Sequence, residues 1–105
     1  MLTFGKYLDG KIAQVVAYNA ALTASQVLSN YNAVKSNYPN FNIISTNLVF
    51  YLDASDSNSY SGSGTTWTDL SDSSNNGTLT NGTTYSSDFG GVIVFDGTND
   101  YVQTA

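Results

Sequence analysis

From Leu48 onward the chain is a succession of short apolar or aromatic runs, each closed by Gly, Asn, Asp or Ser. Leu48-Val-Phe-Tyr-Leu, Thr78-Leu-Thr and Val92-Ile-Val-Phe are too short to be stable helices. They are also rich in the β-branched and aromatic residues that suit a pleated, half-buried surface. Turn material recurs between them at the spacing of an antiparallel all-β domain. No apolar run approaches the ~20 residues of a membrane-spanning helix.

Before Pro39 the pattern changes. Residues 10–18 read as a strand, opened by the turn signal Asp9-Gly10, with Ile12, Val15, Val16 and Tyr18 as β-formers. Residues 23–36 read as the one helix. Thr23 with Gln26 makes a capping box, in which each side chain bonds the other's backbone amide. Ala24, Val27, Leu28, Tyr31 and Val34 then fall on one face, expected to dock on a sheet. Lys35 suits the negative end of the helix dipole, and Pro39 forbids continuation. The chain thus divides into 1–39, a connector at 40–47, and 48–105. Phe41, Ile43 and Ile44 mark the connector as an extended crossing that packs against something.

In the second half, Leu48, Phe50 and Leu52 share one strand face. Asp53 to Gly64 is loop. Trp67 to Leu70 should return to the core, since an indole is costly to leave in water. Ser71 to Gly77 is turn material. Asn81-Gly82 signals a hairpin, because both residues tolerate positive φ. Asp96 to Asp100 turns the chain out of the strand Val92–Phe95, and Tyr101-Val102 begins a pairing strand. Leu48, Phe50, Val92, Val94, Phe95 and the helix stripe are the expected core.

Charge narrows the partners. Three Lys, eight Asp and no Arg, Glu or His leave a net charge of −5. No basic stripe exists to neutralise phosphates, which argues against nucleic acid and against anionic membranes. Without Cys there is no disulfide framework and no thiolate chemistry. The N-terminus lacks a charged start followed by an apolar core, so an extracellular role would call for lysis, assembly on a particle, or a leader outside this sequence.

Four blocks carry a resemblance. Leu48-Val-Phe-Tyr-Leu-Asp-Ala, Trp67-Thr-Asp-Leu-Ser and Gly90-Gly-Val-Ile-Val-Phe-Asp-Gly-Thr-Asn-Asp-Tyr-Val are similar to the opening strands of laminin-G-like, concanavalin A-like jelly-roll domains of phage structural proteins. Gly10-Lys-Ile-Ala-Gln-Val-Val-Ala-Tyr followed by the helix resembles the closing strand and final helix of the same domain. The end therefore precedes the beginning, and the middle is missing. The resemblance implies a mainly β, antiparallel sandwich (jelly-roll-like) with one short helix, complete by itself or completed by a partner chain. It also implies a structural role in a virion, fibre or other extracellular assembly.

Three arrangements fit the reversed order. The chain is a junction between tandem domains; or its halves pair with each other, strand 10–18 lying beside 48–52; or each half completes a sandwich with another copy or a neighbouring structural chain. Open strand edges near 10–18 and 92–102 would then need partners.

Catalysis is poorly supported. The glucanase relatives of the jelly roll use paired glutamates, and this chain has none. Asp53 with Asp56, and Asp69 with Asp72, are close in sequence but lie in turn segments, where Asp usually bonds its own backbone. No enzyme activity is expected. The resemblance points instead to calcium, a hard cation suited to loop oxygens, with Asp53, Asp56, Asp96 and Asp100 as candidate ligands. Capped turns are the plainer reading of these four. No other cofactor is implied. Surface glycans are the alternative partner, through Tyr60, Trp67 and Tyr85 beside polar loops, although a Trp is more often core. Asn76-Gly-Thr and Asn81-Gly-Thr match the glycosylation pattern and read better as turns.

Overall fold

The computed structural model describes residues 2–37 and 44–104. The strands are β1 (Thr3–Phe4), β2 (Asp9–Ile12), β3 (Gln14–Tyr18), β4 (Leu48–Asp53), β5 (Thr66–Trp67), β6 (Gly77–Thr80), β7 (Thr84–Ser86), β8 (Val92–Asp96) and β9 (Tyr101–Thr104). The helix α1 (Ala24–Asn37) stands between β3 and β4. The chain is mainly β, with antiparallel pairing throughout the described residues.

Pairing runs between the two halves. One sheet has the order β1-β9-β6-β5, a second β2-β8-β7, and β3 pairs with β4 alone. Each strand of the first half therefore takes its partner from the second. The arrangement with 10–18 beside 48–52 is present, with Val15 opposite Leu52 and Ala17 opposite Phe50. The single strand read at 10–18 changes partner at Ala13: before it the chain pairs with β8, after it with β4. The Ala54 amide reaches across to the Ala13 carbonyl at 2.9 Å and holds the switch point. At the far corner, the Leu2 amide donates to Thr104 Oγ1 (2.8 Å) and the Thr104 amide to the Leu2 carbonyl (2.9 Å).

The core forms where the sheets meet. Phe50 and Leu52 of β4, Trp67 of β5, Leu79 of β6, Ile93 and Phe95 of β8 and Val102 of β9 are buried together. Phe4 packs on it from β1, its ring 6.3 Å from both Phe50 and Trp67. A two-residue strand is marginal alone, so the apolar surface buried by Phe4 is what anchors it. Leu48 and Val94, expected in the core, are only half-buried. Close approach also shapes the interior. Gly91 sits at φ 144°, where a Cβ would run into the Ala54 carbonyl oxygen, so the start of β8 needs a glycine.

Four expectations are corrected. Asn81 and Gly82 do take positive φ (67° and 99°), but they do not close a hairpin. β6 belongs to one sheet and β7 to another, so the turn passes the chain from one sheet to the other. The turn at 96–100 does the same: β9 pairs with β1 and β6, not with β8. It follows that 92–102 has no open edge, since β8 and β9 each lie between two strands.

The helix is the fourth correction. Its capping box forms as read: the Thr23 amide donates to Gln26 Oε1 at 2.9 Å and the Gln26 amide to Thr23 Oγ1 at 3.1 Å. The apolar stripe, however, faces outward, with Val27 54%, Leu28 58% and Tyr31 60% exposed. A polar hook decides the orientation. Asn30 Nδ2 donates to the Tyr18 hydroxyl (3.0 Å), Tyr18 donates to the Ile44 carbonyl (2.7 Å), and the Ile44 amide donates to Asn30 Oδ1 (2.8 Å). Pro39, expected to stop the helix, and Phe41 and Ile43 of the expected connector lie outside the described residues.

Candidate functional site

The side chains proposed for sugar stacking are split by burial. Trp67 is wholly buried and offers no ring face to a ligand. Tyr60 is buried as well, its hydroxyl donating to the Gly64 carbonyl at 2.9 Å. Tyr85 reaches the surface at 36% exposure and stacks on Tyr60, the centroids 5.5 Å apart and the planes 30° from parallel. Two of the three are thus brought together, as a lid over the core rather than as a platform.

The four aspartates proposed for calcium lie in two separate turns. Asp53 is fully buried: Oδ1 accepts from the Ser55 amide (2.9 Å) and hydroxyl (2.6 Å), and Oδ2 accepts from the Tyr51 hydroxyl (3.2 Å). Burial, and then the Asp53 charge, push the Tyr51 phenol far above its ordinary pKa. Asp56 Oδ1 accepts the Asn58 amide. In the second turn, Asp96 Oδ1 accepts the Thr98 and Asn99 amides, and the Thr98 bond leads in holding its carboxyl below the usual range. Asp100 Oδ2 accepts the Asp96 amide at 3.1 Å, while its buried Oδ1 has no partner among the described residues. Calcium takes six to eight oxygens. Four of these eight carboxylate oxygens already serve their own turns, and Asp53 Oδ2 takes the Tyr51 hydroxyl. Among the described residues no three His, Cys, Asp or Glu side chains gather.

Asp69, expected only as a turn aspartate close to Asp72, is the hub of a loop. Oδ1 accepts the Tyr51 and Ser71 amides, both at 2.9 Å, and Oδ2 accepts the Ser71 hydroxyl and the Asn75 amide, both at 2.8 Å. Burial alone would raise its pKa. The bonds from Ser71, Asn75 and Tyr51 outweigh burial and hold the carboxyl below its ordinary value. The same loop reaches β4 twice more, through the Leu70 amide to the Tyr51 carbonyl (2.8 Å) and Asn75 Nδ2 to the Val49 carbonyl (3.1 Å). The loop therefore covers the outer edge of β4. The only sequence signal for it is the spacing Asp69-Leu-Ser71, an Asp placed to bond the amide two residues on.

Besides the outward stripe of α1, two surfaces are open to contact. The first is the edge made by β2 and β3, each paired on one side only. It runs from Asp9 to Tyr18 and carries only Asp9 and Lys11 as charges. The second is the outer face of the four-stranded sheet. Thr66, Thr78, Gln103 and Thr3 stand in one row across its strands. They line two adjoining hollows of about 390 and 270 Å³ that share Gln103, the smaller also bounded by Lys6 and Tyr101. The chain matches no protein-family model, no curated protein and no solved structure, so its activity has to follow from these surfaces.

Proposed function

We propose that the chain is a non-enzymatic assembly module of a phage-type virion or fibre, a β-sandwich that joins its neighbours through strand edges. The observation that carries this reading is the edge Asp9–Tyr18. An edge strand offers a row of backbone amides and carbonyls to any extended segment that approaches. Such edges are usually blunted by charge or proline, and β3, with Gln14, Val15, Val16, Ala17 and Tyr18, has neither. Val15 and Ala17 pack toward the core, which leaves Val16 on the opposite face. Val16→Lys should therefore block the edge with little cost to the fold. Light scattering on the wild type is expected to give a mass well above the 11.2 kDa of one chain, lowered in the variant. A wild type that stays monomeric, or a variant with unchanged mass, sinks the reading.

A second reading is favoured by the hollows on the four-stranded sheet: an adhesin that recognises surface glycans. Their lining of Thr hydroxyls and the Gln103 amide suits sugar hydroxyls, and Tyr101 supplies an apolar ring at one end. Glycan-array binding that disappears in Tyr101→Ala, with the circular dichroism spectrum kept, is the expected result under this reading. Silence of the wild type across the array removes it.

A further inference from the structure

The outward stripe of α1 follows neither from the hydrogen-bonded core nor from the open edge. We propose that it is a docking surface for the same stripe of a second copy of this chain, an inference that rests on the assembly reading and adds a second contact to it.

Three observations converge. First, the helix cannot turn its apolar face inward. Its inner side is fixed by Asn30 to Tyr18 and Ile44, and its start by the Thr23–Gln26 box. Val27 and Leu28 are thus more than half exposed, with Tyr31 beside them on the helix surface. Second, charge selects the occupant. The chain carries −5, so two copies repel across most of their surfaces. From Ile12 to Val34 there is no charged residue at all, and every aspartate lies outside that stretch. An anionic copy meets least repulsion here, and a basic partner finds nothing to pair with. Third, the stripe adjoins the proposed edge contact, since Asn30 bonds the hydroxyl of Tyr18 at the end of β3.

A stripe that docks on itself makes a two-fold contact in which each copy uses the same residues. That contact closes at a dimer. The strand edge supplies a second, separate contact. A chain with both can grow past the dimer into a fibre.

The test is sedimentation velocity on the full chain across a concentration series, with five proteins compared, Val16→Lys among them. The wild type is expected to run past a dimer. Val27→Asp with Leu28→Asp is expected to stop at a dimer held by the edge, its stripe contact weakened more than about tenfold by buried charge. Val27→Gln with Leu28→Gln removes the apolar surface while keeping helix propensity, and gives the same result if the Asp pair perturbs folding. Phe89→Ser, which removes an exposed ring elsewhere, should leave the assembly as it is.

The inference is overturned if the stripe variants match the wild type, or if Phe89→Ser weakens assembly as much as they do. It is also overturned if Val16→Lys alone yields monomer, because the stripe should still hold a dimer. In each of these cases the edge reading survives wherever Val16→Lys reduces the mass. A wild type that stops at a dimer, broken by the stripe variants and untouched by Val16→Lys, keeps the stripe and removes the edge. A monomeric wild type removes both.

Discussion

Trp67→Ala is expected to lower the free energy of unfolding by about 3–5 kcal/mol in urea denaturation. The ring is wholly buried, touches Phe4, and sits among Phe50, Leu52 and Val102 at the meeting of the sheets. Removing it leaves a cavity that rigid strands on several sides cannot close. A domain of this size has only about 5–15 kcal/mol of stability, so the loss takes a large share of it. Trp67→Phe should cost much less. The indole N–H is buried with no partner among the described residues, so phenylalanine removes an unpaired donor along with some volume. The chain has one tryptophan, so unfolding is followed by circular dichroism rather than by fluorescence. An alanine variant within about 1 kcal/mol of wild type contradicts the core placement.

Asp69→Ala should cost about 3 kcal/mol, a large effect for a loop residue. Three backbone amides and one hydroxyl lose their shared acceptor, and the loop that covers the edge of β4 loses its hub. Water can reach part of the site, which keeps the loss below the sum of four bonds. The cost should depend on pH. The folded carboxyl titrates below its ordinary value, so folding favours the ionised form. The stabilisation is then present above the unfolded pKa of about 3.9 and fades as pH falls through the folded value. The gap between wild type and variant should narrow as the pH is taken below about 4. A gap that stays constant from neutral pH down to the folded pKa contradicts the role of the charge.

Several features were legible from local chemistry. The strands read at 48–52 and 92–95 are visible as β-branched and aromatic runs, and the helix start as Thr23 and Gln26. The burial of Trp67 followed from the cost of a wet indole. The corrections share one physical origin, because they concern partners rather than local shape. Asn81-Gly82 dictates positive φ, which bends the chain but does not say which sheet lies beyond the bend. The stripe on α1 shows helical periodicity, yet one three-way hook through Asn30 sets which side faces the protein. β1 is two residues long and exists only through β9 and Phe4. Asp69 looks like turn material in sequence, and only folding shows that Tyr51 and Asn75 converge on it.

Pairing between distant halves also sets a clock on the making of this protein. Gln103, the partner of Thr3, follows it by one hundred residues. At about 5–20 residues per second of synthesis, the first strand waits roughly 5–20 s before its partner exists. The apolar run of β3 is likewise complete thirty residues before β4 begins. Pairings this long in sequence also close slowly once the chain is complete, on the order of milliseconds to seconds. The uncharged stretch proposed as a contact surface of the finished molecule is therefore also a hazard while it is being made. Neighbouring nascent chains on one message would present the same unprotected strand to one another at close range.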